Sequence, residues 1–167
     1  MTRRTLLAIA VTFSLPFATV AQTKKHDLDT LVGKVFTDFV EIGNPDYFIG
    51  YLLDPTSTDY GVDGLRFNKT AVFIFTRNVG KDASENIKWE ILDIMIAPKK
   101  GYFDHWCCRL ENDSFDRESI AFLKKRKRSK FKVLKMYRAD RTSKKFIEFR
   151  ESDCYKKNFV DGRGFKY

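Results

Sequence analysis

Histidine is nearly absent from this chain: His26 and His105 are the two it has in 167 residues. Acid–base chemistry through an imidazole therefore has only two candidates. Four prolines and nine glycines exclude a collagen-like or low-complexity chain. No apolar run reaches the roughly 18 residues that a membrane-spanning helix needs. There is no Gly-x-Ser-x-Gly elbow, no glycine loop to cradle phosphate and no His-Glu-x-x-His pair. The commoner hydrolase, nucleotide and zinc-protease readings thus lose their motifs, and no cofactor motif stands in their place.

What is there is small, aromatic and basic. Hydrophobic residues make up 43% of the chain and aromatics 15%, enough for the core of one globular domain and too much for a disordered one. Residues 1–21 read as a secretory signal peptide. Arg3 and Arg4 give the positive start, residues 5–20 are mostly apolar but broken by Ser14 and Pro16, and Thr19-Val20-Ala21 sets small residues for a cut after Ala21. The competing reading, a retained membrane anchor, is disfavoured by the short apolar core and by Pro16. The expected organisation is a signal peptide over 1–21 and a single secreted globular domain over 22–167, placed in the periplasm or outside the cell.

Export changes what the cysteines mean. Cys107, Cys108 and Cys154 follow the cut, and an oxidising compartment lets two of them pair. Neighbouring cysteines rarely bond each other. On a strand Cys107 and Cys108 point to opposite faces, so one of them meets Cys154 and the other stays a thiol. A Cys108–Cys154 bridge closes a loop worth roughly 4 kcal/mol in the chain-entropy model. Metal binding by His105, Cys107 and Cys108 fails the usual ligand spacing. A thiol nucleophile at Cys107, activated by His105, lacks an orienting partner.

The charge is lopsided. From Ser119 to Arg150 there are 13 basic residues against Asp140 and Glu148, whereas residues 22–118 are net acidic. The densest run is Lys124, Lys125, Arg126, Lys127, Arg128, then Lys130. In a cytosolic chain this reads as a nucleic-acid patch. Behind a signal peptide the anionic partners are an acidic protein, lipid headgroups or surface polysaccharide. The bland alternative is a solvated turn whose lysines blunt a strand edge.

Local pattern predicts the elements. Leu28, Leu31, Val32, Val35, Phe36, Phe39 and Val40 have the spacing of an amphipathic helix over 27–40, capped by Asp27. Residues 47–53 read as a strand, 56–64 as a polar loop, and 65–67 and 70–77 as strands. Residues 78–86 read as a turn leading to a strand over 87–97, the two long strands making a hairpin. A further strand covers 102–110. Residues 116–124 open either a helix capped by Asp116 or a strand through Ile120 and Phe122. Strands over 131–138 and 145–150 flank a turn at 140–143, and the tail from 156 reads as loosely held. Tyr47, Phe48, Phe73, Phe75, Trp89 and Phe131 read as core. The expected fold is α+β, a single domain dominated by antiparallel β-sheet with one or two helices.

Trp89-Glu90-Ile91-Leu92-Asp93, Gly101, Cys108, Asp116, Ile120-Ala121, Met136-Tyr137-Arg138-Ala139-Asp140, Lys144-Lys145-Phe146 and Cys154 together resemble a pattern of small secreted bacterial domains of unknown function. Tyr137 stands in the place of a Trp, Ser143-Lys144 in that of Thr-Gly, and Cys107 is additional. The resemblance implies secretion and a disulfide-stapled domain with a Cys108–Cys154 bridge. It implies no activity.

Carboxylate pairs, Asp59 with Asp63 and Asp113 with Asp116, serve glycoside hydrolysis only if folding sets their separation. No catalytic residue is assigned. The expected function is that of an exported, non-enzymatic binding protein, of the immunity or inhibitor type, acting on an acidic protein through Lys124, Lys125, Arg126, Lys127, Arg128 and Lys130. The alternative is an envelope factor that holds anionic lipid or polysaccharide through 119–150.

Overall fold

The run Ala71-Val72-Phe73-Ile74-Phe75 is apolar on both faces of a strand, and such a strand needs cover on both sides. The computed structural model, which describes residues 28–98, 101–105, 107–112, 114–126, 131–154, 156–157 and 165–166, provides that cover. In chain order the strands are β1 (Val35–Phe36), β2 (Asp46–Asp54), β3 (Ser57–Phe67), β4 (Thr70–Lys81), β5 (Ile87–Ile96), β6 (Tyr102–His105), β7 (Cys108–Arg109), β8 (Ser119–Lys125), β9 (Phe131–Asp140), β10 (Lys145–Phe149), β11 (Lys156–Lys157) and β12 (Phe165–Lys166). One five-stranded sheet runs β1-β5-β4-β3-β2, a second runs β10-β9-β8-β6-β12, and β11 pairs with β7. These ladders are antiparallel throughout.

Alternation along β4 sorts its side chains between two cores. Phe73 and Phe75 join Leu53, Val62 and Met95 against Phe103, Ile120, Phe122 and Ala139 of the second sheet. Phe73 meets Phe103 and Phe122 edge-on, with ring centroids 5.1 and 5.7 Å apart. Each such ring, fully buried, contributes about 1.5–3 kcal/mol. Val72 and Ile74 point the other way, with Leu65, Phe67 and Ile91, onto Leu28, Phe36 and Ile42. The stretch from Leu28 to Ile42 therefore covers the outer face of the first sheet. On the outer face of the second sheet, Ala121, Leu123 and Met136 lie against Cys107 and Cys108. A 2.7 Å hydrogen bond from Phe146 N to Asp93 Oδ2 ties β10 to β5.

Sheet dominates as the pattern predicts, but the expected helices are not seen: no helix of seven residues or more occurs among the described residues. The helix over 27–40 is replaced by two helical residues, Leu28 and Asp29, a turn, β1 and a 3₁₀ turn over Phe39–Ile42; its predicted cap, Asp27, lies outside the described residues. Gly33 adopts φ 84°, which ends a helix. From there the chain pairs with β5, Gly33 N donating to Ile91 O at 2.8 Å and Ile91 N to Lys34 O at 3.0 Å. Asp38 and Glu41 then cap the 3₁₀ turn as a box,.

The second ambiguous segment is a strand. Asp116 accepts from Glu118 N in a turn before β8 and caps no helix. The loop read over 56–64 is also a strand, most of β3. Glycine and aspartate depress strand propensity, yet Gly61 and Gly64 sit in full register with Thr76 and Phe73. The turn read over 78–86 begins later, because β4 continues to Lys81. Parts of the tail are strands as well: β11 pairs with β7 and β12 with β6.

Candidate functional site

The basic stretch falls on the β8–β9 hairpin. Register sets Lys124 directly opposite Lys132 and Lys125 opposite Phe131. Lys124, Lys125, Arg126 and Lys132 are exposed, and none of the four forms an ion pair among the described residues. Like charges directly across a ladder repel. Further along, Lys135 is paired to Glu148 at 2.7 Å. Lys127, Arg128 and Lys130 lie outside the described residues, as does the expected signal peptide over 1–21.

The cysteines are brought together by β7 and the chain after β10. Cys108 is bonded to Cys154, with their Cα atoms 5.3 Å apart. Cys107 remains a buried thiol, and burial pushes it up to about 12, far from the thiolate a nucleophile needs. Burial also lowers the affinity of His105 for a proton. Its ring stacks on Tyr51 with centroids 5.2 Å apart, a packing role. Among the described residues no group of His, Cys, Asp and Glu is arranged to hold a metal ion, and no helix is long and apolar enough to cross a membrane.

Asp116 is engaged in an ion pair with Arg138. It is buried and receives Arg138 through Nε and Nη2 at 3.2 and 2.6 Å. Around it lies a cleft of about 420 Å³ lined by Arg117, Arg138 and Arg141 with Asp116, Glu118 and Asp140. Its charges are internally matched, since Arg141 pairs with Glu118 at 2.6 Å and Arg117 donates to Leu52 O at 3.4 Å. The other member of that carboxylate pair, Asp113, lies outside the described residues.

A second cavity, of about 460 Å³, opens between the outer face of the first sheet and residues 36–39. β2 provides Gly50, Tyr51 and Leu52, β3 provides Gly61 and Asp63, β4 provides Thr76, and β5 provides Trp89. Gly50 is opposite Asp63 in the ladder. A Cβ on Gly50 would overlap both Tyr47 Oη and Asp63 Oδ1, so glycine is what lets hydroxyl and carboxyl converge there. Burial pushes Asp63 up to about 7. Burial raises Tyr51 well above the ordinary phenol range too, with Cys107, Asp63 and Asp116 adding to it.

Sequence reasoning missed this cavity. It placed Asp63 in a loop and assigned Tyr47 and Trp89 to the core, whereas Tyr47 is 53% exposed; Trp89 does pack against the outer-face core and lines the cavity as well. The available signal was Gly61-Val62-Asp63-Gly64, an acid flanked by glycines within an alternating stretch. Comparison with known proteins adds no assignment: no family model, curated protein or solved structure matches the chain.

Proposed function

We propose that the protein is an exported binding protein that docks onto an acidic protein surface through the β8–β9 hairpin, in the manner of an immunity or inhibitor protein. The observation that carries the reading is the end of that hairpin, where Lys124 and Lys132 face each other and Lys125 and Arg126 flank them, all exposed. Such an arrangement raises the free energy of the unbound protein and is relieved by an opposing negative surface. Residues 126–130 are Arg, Lys, Arg, Ser and Lys, without an apolar side chain to enter a bilayer. Phe131 turns inward onto Tyr102, with ring centroids 5.2 Å apart. These features favour a protein partner over lipid. The unreactive Cys107 thiol and the stacked His105 fit binding rather than catalysis.

The test is affinity capture from an envelope extract of the exporting host, wild type against Lys124→Glu/Lys125→Glu/Arg126→Glu. An acidic protein is expected on the wild type at low salt, with association slowed about tenfold or more in the variant. Equal capture by the variant overturns the reading. Co-sedimentation of the wild type with phosphatidylglycerol vesicles, lost in the same variant, replaces it with the lipid alternative.

A further inference from the structure

Several of the less exposed carboxylates are matched by cations. Glu90 has Arg77, Asp116 has Arg138 and Glu118 has Arg141. Asp63 is different. It is largely buried, desolvation alone accounts for its raised proton affinity, and no described residue donates a hydrogen bond to it. The chain carries a net charge of +9, yet among the described residues no Lys, Arg or His lines the cavity that Asp63 faces.

Three other polar side chains of that lining already take part in hydrogen bonds. Asp38 Oδ1 accepts from Val40 N at 2.9 Å. Thr37 Oγ1 donates to Glu41 Oε1 at 2.6 Å, and Thr76 Oγ1 donates to Gly61 O at 3.2 Å. A carboxyl left so in apolar surroundings costs stability. The cavity, at about 460 Å³, has the size of a small-molecule site.

The chemistry of the lining selects the occupant. A sugar carries acceptors as well as donors, and the threonine hydroxyls that would serve those acceptors already donate elsewhere. An anion would meet Asp38 and Asp63. An ammonium group only donates, carries the missing charge, and is attracted to the faces of aromatic rings. Phe36, Phe39 and Trp89 provide such rings, and Phe39 packs in turn at a tilt against Tyr47, 5.4 Å between centroids. We propose that this cavity binds a small organic cation, an ammonium group on an apolar body, with Asp63 as its counter-ion and Phe36, Phe39 and Trp89 as its walls. This site is independent of the β8–β9 hairpin.

The titratable groups on the side of the sheet that Asp63 faces are Tyr47 from β2 and Asp38 from across the cavity, while Tyr51 turns to the opposite face and stacks on His105. Both tyrosines are raised, mainly by burial, Tyr47 additionally by Asp63 and Tyr51 by Cys107 and then Asp63, so they stay neutral below pH 9. The ammonium then competes with a single proton on Asp63.

Calorimetric titration of the full chain with 2-phenylethylammonium, 2-phenylethanol and 3-phenylpropanoate tests the proposal. At pH 8 the ammonium compound is expected to bind, the alcohol about tenfold or more weakly, and the carboxylate not at all. With Asp63 near 7, ammonium affinity rises about tenfold from pH 6 to pH 8 as the carboxyl ionises. Asp63→Asn, which removes a buried charge and keeps the shape, is expected to fold and to lose both the preference and the pH dependence. Equal affinity for the alcohol and the ammonium overturns the proposal. So does unchanged ammonium binding by Asp63→Asn, or no binding of any of the three at about 10 mM.

Discussion

Asp63 keeps a proton that the unfolded chain gives up. Its ordinary value is 3.8 and its folded value about 7, so between those limits the native state holds more protons than the unfolded one. Stability is therefore full below pH 4 and falls as pH rises toward 7. Between pH 5 and pH 8 this group removes about 2–3 kcal/mol, less where water reaches the carboxyl through the cavity. Urea unfolding at the two pH values checks it: wild type loses stability that Asp63→Asn keeps. The flanking glycines are the one local mark of this residue in the sequence, and they do not reveal its burial, because its environment is made by partners on other strands. Gly50 makes room for it, Trp89 and Phe36 wall it in, and all three are distant in the chain.

At the scale of elements, the turn between β9 and β10 holds Lys144 at φ 58°, a left-handed conformation that costs a residue with a side chain about 1 kcal/mol. Lys144 N donates to Asp140 O at 2.8 Å and Ser143 N to Asp140 Oδ2 at 2.9 Å, which keeps it there. Lys144→Gly is expected to raise the urea midpoint by about 0.5–1 kcal/mol of stability, with an unchanged denaturant slope. Both flanking strands and β5 were legible from their alternation, β2 from its aromatic residues and β4 from its apolar run. The helix over 27–40 was misread because an i, i+3, i+4 spacing reports only that one side is buried. Leu28, Phe36 and Ile42 do reach one core, by way of a turn and a 3₁₀ turn. β3 was misread for the opposite reason: its glycines look like a loop, yet Gly64 lies tight beneath Phe48.

At the scale of the molecule, two sheets share one core and each has its outer face covered, the first by residues 28–42 and the second by the Cys107–Cys108 stretch. That arrangement was legible only as a preponderance of sheet. The pairing of β11 with β7 and of β12 with β6 joins short segments far apart in the chain, with no alternation long enough to register. Covalent support matters most on the second cover. Cys154→Ser is expected to lower stability by up to about 4 kcal/mol, read as a lower thermal midpoint under non-reducing conditions. Labelling the folded wild type with iodoacetamide at pH 8 leaves Cys107 unmodified, since it is buried and stays protonated.

The bridge starts ahead of β8 and ends beyond β10, so all the basic residues of 119–150 lie inside the loop it closes. A stretch rich in lysine and arginine is the natural target of trypsin-like proteases, which abound outside cells. A single cut there opens the chain without dividing it, because sulfur still joins what lies on either side. The segment most inviting to a protease is thus placed where one cleavage releases no fragment.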